Sequence, residues 1–205
     1  MSNRVFLNLT NFSKMPKHTQ LNKFIDESSK TFEANCSIPI FWLFLFDKNN
    51  IKLTQDTYED QEYIYLISEK DLALKNLEKR SNFISSILSP SQFNLYEYWL
   101  DKIKKSPYYR ILIRTEELSW FYENKEFKEE LDSAFTQIEE SVLHNQDLFK
   151  EDFFNLTGLA GIEKWEDCKD ESLVGIYINE EGTWPKDIKK YSDESNKTKW
   201  WIFWK

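Results

Sequence analysis

The decapeptide SIPIFWLFLF, Ser37 to Phe46, constrains the fold of this chain more than any other stretch. Its apolar part, Ile38 to Phe46, is about half the roughly 20 residues that a bilayer-spanning helix needs, and Asp47 and Lys48 end it abruptly. It belongs inside a folded core. Leu and Phe outnumber β-branched residues, and Pro39 suits a first helical turn, so the run reads as a short helix that is apolar all round and buried. A central strand is the alternative, with Pro39 confined to its start.

A buried helix needs a core around it, and the composition supplies one. Of 205 residues, 17% are aromatic, including 8 Trp and 16 Phe, and burying such rings offsets the entropy of ordering the chain. One domain over residues 1–205 is the simplest organisation, with 163–205 as a C-terminal subregion.

The flanking segments alternate between strand and helix patterns. RVFLNLT, Arg4 to Thr10, places Val5, Leu7 and Leu9 on one side, as a strand does. EYIYLIS, Glu62 to Ser68, is β-rich, and Ser68 with Asp71 forms an S-x-x-D box predicting a helix that carries Ala73, Leu77, Ile84 and Leu88 on one side. In SPSQ, Ser89 can cap, Pro90 fits the first helical position and Gln92 completes a second box, opening a helix through Ile103. YYRILIR, Tyr108 to Arg114, reads as a strand. KEFKEELDSAFTQIEESVL reads as an amphipathic helix with Phe127, Leu131, Phe135, Ile138 and Val142 in one stripe.

DLFKEDFFNL suggests a weaker helix, SLVGIYIN (Ser172 to Asn179) a buried strand, and the terminal KWWIFWK a strand covered on both sides or, at a sheet edge, open to a partner strand. Helices interspersed with strands, and very few glycines, predict an α+β domain: a mostly antiparallel or mixed sheet packed with several amphipathic helices.

Charge narrows the partners. Thirty-five acidic residues against 27 basic give a formal charge of -8, which repels polyanions, so nucleic acid is a poor partner. The lysines of DKIKKS and DIKKYSDE stand among acids and form no basic stripe. The opening residues carry no secretory signal pattern, which predicts a cytoplasmic protein, with the several N-x-S/T triplets reflecting an Asn-rich composition. Cys36 and Cys168 lack C-x-x-C partners and read as reduced thiols, a disulfide requiring the fold to bring them together.

Catalytic equipment is sparse. Four glycines in 205 residues fall far below the usual share of about 7%, which leaves no material for a phosphate-binding loop, and GLAG (Gly158 to Gly161) is not one. The two histidines, His18 and His144, have no metal-binding spacing around them, so no metal, cofactor or catalytic residue is assigned. Carboxylate pairs are too abundant to single one out for a glycosidase-like site.

Two acidic clusters stand apart because each embeds an aromatic ring: Tyr58 with Glu59 and Asp60, and Trp165 with Glu166 and Asp167. An aromatic anchor supplies buried contact area while flanking charges steer a basic protein partner, so these six residues are the candidate partner-binding set. Solvated loops whose rings tuck back into the core would leave the same pattern.

MSNRVFLNL, the IPIFWLFLF run preceded by Phe32 and Glu33, and ILIRTEELSWFYENKEFKEELDSAF together resemble a group of bacterial proteins associated with polymorphic toxin and secreted-effector systems. The resemblance covers the first two thirds of the chain, and its motifs are core-like, so no functional residue transfers. It implies an immunity-type protein that binds and neutralises a cognate, cytoplasm-acting toxin. From the residues alone, a hydrolase using two carboxylates in a cleft and a non-enzymatic adaptor stay open.

Overall fold

A computed structural model describes residues 3–28, 32–54, 62–118 and 123–177. The terminal KWWIFWK and the cluster at Tyr58 to Asp60 lie outside them. Six strands, β1 (Arg4–Thr10), β2 (Phe32–Asn35), β3 (Ile51–Leu53), β4 (Ile64–Glu69), β5 (Arg110–Arg114) and β6 (Ile176–Tyr177), form one sheet in the order β3-β4-β5-β1-β2-β6. Every neighbouring pair is antiparallel, so the fold is α+β.

Strand alternation separates two apolar clusters. Val5, Leu7, Leu9, Phe32, Ala34, Ile64, Leu66, Ile111 and Ile113 belong to the main core, together with α3 (Lys70–Ile87), α4 (Pro90–Lys105), α5 (Asn124–His144), α6 (Glu151–Leu156) and α7 (Asp170–Val174). Tyr65, Ile67 and Leu112, their neighbours along the strands, join Met15, Tyr63 and Phe24 of α1 (Leu21–Glu27) in a smaller cluster. On that second face Phe6 pairs across the sheet with Glu33 and with Arg114, whose guanidinium lies 5.1 Å over the Phe6 ring.

The apolar run is the centre of the main core. Ile38 and every residue from Ile40 to Phe46 are fully buried, with α2 (Ile40–Leu43) as its helical part and Pro39 as its N-cap. At about 1.5–3 kcal/mol for each large apolar side chain taken from water, this segment is a major favourable contribution to folding. The carbonyls of Ile40, Trp42 and Leu43 accept from the N–H groups of Phe44, Leu45 and Phe46 within the run, so it is the three carbonyls just past the helix that take donors from elsewhere. Arg80 of α3 donates to the carbonyls of Phe44 and Phe46, and Asn76 donates to that of Leu45 at 3.1 Å. Beyond it, Asp47 and Asn50 make a reciprocal capping box on a single 3-10 turn, which explains why the apolar run stops there.

Several sequence expectations are corrected. Ser68 does not cap α3: the ladder with β5 extends to the Glu69–Arg110 pair, so Ser68 stays in β4 and its hydroxyl donates to the Glu69 carbonyl. The box at Ser89, Pro90 and Gln92 forms as expected, and α4 runs two residues past Ile103. SLVGIYIN divides, its first part belonging to α7 and Ile176 and Tyr177, the last described residues, pairing with β2. The hinge is Gly175 at φ +74°, where an added Cβ would sit 2.6 Å from the Trp42 ring and 2.8 Å from the Glu33 carbonyl oxygen. The helix in DLFKEDFFNL is confined to Glu151–Leu156. Strand β5 starts at Arg110 rather than Tyr108, and the Tyr109 side chain is exposed. Cys36 is exposed, Cys168 is buried, and both are free thiols.

Candidate protein-binding surface

Of the six candidate residues, Trp165, Glu166 and Asp167 are placed, on one 3-10 turn between α6 and α7. Tyr58, Glu59 and Asp60 fall outside the described residues. The turn is fixed from three sides. The carbonyl of Trp165 accepts a hydrogen bond from Gln92 Nε2 at 2.5 Å, and its indole Nε1 donates to Asp147 Oδ2 at 2.7 Å. The ring lies edge-on to Phe149, centroids 5.9 Å apart, and tilted against Phe154 at 6.1 Å. Gln92 is itself buried, and its Oε1 accepts the Ser89 N–H in the α4 capping box. The residue that completes the α4 capping box therefore also clamps the Trp165 turn.

Trp165 is half-buried against the main core, while Glu166 and Asp167 are exposed. The ring does tuck partly inward, yet the turn presents its carboxylates to water. Around it the charge is uneven in a way that the chain total conceals. Residues 123–177 contain 15 Asp and Glu against 5 Lys, a formal charge of -10, so the other 150 residues sum to +2. The acidity of the protein is concentrated on α5, α6 and α7 and their connections. Most of these carboxylates are exposed, including Glu126, Glu139, Glu140, Asp147, Glu151, Asp152, Glu163, Asp170 and Glu171. Lys125 pairs with Glu129 and Lys128 with Asp132 along α5, exposed pairs that neutralise little of the field.

Two carboxylates in this region are driven apart in proton affinity. Burial, then the charges of Asp152 and Glu126, push Glu130 above the usual carboxylate range. Burial alone would raise Asp152 too. Donors from Ser133, Gln137 and the backbone N–H groups of Phe153 and Asp152 outweigh it and hold Asp152 low. Gln137 ties α5 to α6, since its Nε2 donates to Asp152 and to Ser133 while its Oε1 accepts the Lys150 N–H. Asp152 is exposed and one of its oxygens accepts both side-chain donors, an arrangement that ties the first turn of α6 to α5 at the surface rather than one that lines a cleft.

Cys168, next to the candidate turn, is a poor nucleophile. Burial and the neighbouring Asp167 push its thiol up to about 11. Among the described residues no group of three or more His, Cys, Asp or Glu could hold a metal ion.

Sequence reasoning missed Asp147, Gln137 and Arg80, and the second role of Gln92. Asp147 and Gln92 act on Trp165 across 18 and 73 residues, a separation without local signature. Gln137 and Arg80 did leave one: each is polar at a position that helical spacing places on an apolar stripe.

The fold is α+β, with the acidic residues concentrated on α5 to α7 and their connections. No protein-family model, curated protein or solved structure matches the chain.

Proposed function

We propose that this is an immunity-type protein, which binds a cognate cytoplasm-acting toxin of bacterial competition systems and covers its active site. The observation that carries the reading is the concentration of a formal charge of -10 into residues 123–177, around a turn that holds a half-buried tryptophan beside two exposed carboxylates. A field of that sign raises the local concentration and the association rate of a basic partner. Toxins that act on nucleic acid are basic where they bind phosphate, which makes a nuclease-like partner the best fit. The resemblance of the first two thirds of the chain to proteins of toxin systems points the same way.

Binding of this kind needs no catalytic group. The rigid clamp on Trp165 supports it, because a contact residue fixed before association loses little entropy on binding. The test is growth. Expression of the product of the adjacent upstream gene should arrest cells, and co-expression of this chain should restore them. Arrest that this chain does not relieve contradicts the proposal. So does rescue that survives charge reversal at Glu140, Glu163, Glu166 and Asp167 together.

A further inference from the structure

The chemistry around Trp165 is more selective than a general negative field. Three half-buried rings, Phe149, Phe154 and Trp165, meet at centroid separations of 5.9 to 6.4 Å. The Trp165 ring is locked in place by Asp147. Exposed carboxylates flank the rings in sequence: Asp147 precedes Phe149 by two residues, and Glu166 and Asp167 share the turn of Trp165. Lys150 and Lys164 are the cations of the same two stretches, and both are exposed. Aromatic faces beside carboxylates suit a planar, weakly hydrated cation that can stack and accept ion pairing at once, which describes a guanidinium better than an ammonium.

The protein already uses this chemistry internally. Arg114 lies 5.1 Å over Phe6 and 5.7 Å from the Phe24 centroid, and its guanidinium also pairs with Glu116.

We propose, building on the binding reading above, that this surface takes an arginine side chain of the partner as its anchor, the guanidinium stacked on the Trp165 cluster and rimmed by Asp147, Glu166 and Asp167. The acidic field then supplies the rate of encounter, and the aromatic cluster supplies selectivity for arginine over lysine.

The test uses the full chain with hexaarginine and hexalysine, probes of equal charge, at low salt. Binding is followed by NMR at the indole N–H resonance of Trp165, assigned by its loss in Trp165→Phe. Hexaarginine is expected to move that resonance and to bind about tenfold more tightly than hexalysine. In Trp165→Leu the two affinities should converge. Should that variant fail to fold, the resonance and the affinity ratio of the unaltered protein still decide the matter. Equal affinity for the two peptides overturns the arginine anchor while the acidic-surface reading stands. Binding of neither peptide overturns both.

Discussion

Arg80 of α3 donates one guanidinium nitrogen to the carbonyl oxygen of Phe44 at 2.7 Å, and the same nitrogen reaches Phe46 at 2.8 Å. The arginine is buried inside the protein, and its second nitrogen pairs with Glu139 of α5 at 3.0 Å. Burial lowers its proton affinity and Glu139 supports the charge, so a cation sits in the core to close the end of the most apolar segment.

Removing that cation should be severe. Arg80→Met keeps the bulk of the stem but leaves the Phe44 and Phe46 carbonyls without their donor, and the expected loss is about 3 kcal/mol or more. Arg80→Lys restores one donor centre without the fork and should fall between the two. Urea unfolding of the three proteins gives the order, and an Arg80→Met variant as stable as the parent would contradict this role.

Two fully buried tryptophans offer an internal comparison. Trp42 Nε1 donates to the Val174 carbonyl at 2.9 Å, whereas Trp99 Nε1 is buried with no acceptor among the described residues. Trp42→Phe loses volume and strands a carbonyl, at a cost of about 2–4 kcal/mol. Trp99→Phe loses similar volume but also removes an unsatisfied donor, so its cost should be smaller by about 1 kcal/mol or more. Equal losses in denaturant titrations would refute the distinction.

Gly175 joins α7 to β6 against that same Trp42. With φ at +74° and no room for a Cβ beside the Trp42 ring and the Glu33 carbonyl, Gly175→Ala is expected to cost about 2 kcal/mol or more in thermal or urea unfolding. A neutral effect would mean that the α7–β6 junction rearranges freely.

Proton linkage should separate Glu130 from Asp152. The folded state lowers the pKa of Asp152, so its contribution is present above the unfolded value near 4 and is lost as pH falls through the folded value. The stability deficit of Asp152→Ala should therefore shrink in acid. The folded state raises the pKa of Glu130, so folding weakens as pH rises through the interval between its unfolded and folded values. Glu130→Gln should stabilise the protein at neutral pH, and that gain should vanish in acid. Parallel pH profiles for the two variants would contradict the assignment.

What the sequence conveys well is local. Arg4 to Thr10 forms β1 with the expected faces, the Ser89–Gln92 box opens α4, and the stripe from Phe127 to Ile138 buries α5, because each depends on periodicity or on partners within four residues. What it hides is set by distance. Ser68 has good capping chemistry, but pairing with a strand more than forty residues away claims it first. The segment at Ser172 to Val174 has strand-like side chains, yet its contacts with α2 and α4 and the turn at Gly175 favour one helical turn. The asymmetry of charge was readable as a count of residues. That it coincides with α5 to α7 and the clamped Trp165 needed the fold.

The claim that the acidic residues of α5 to α7 bind a partner is tested most directly by calorimetry of the chain with the product of its upstream gene, at about 50 mM and about 200 mM salt. The account predicts a tight complex that weakens with salt, and whose affinity falls about tenfold or more when Glu166 and Asp167 are both replaced by lysine. No complex at either salt concentration, or one indifferent to both salt and charge reversal, would contradict it.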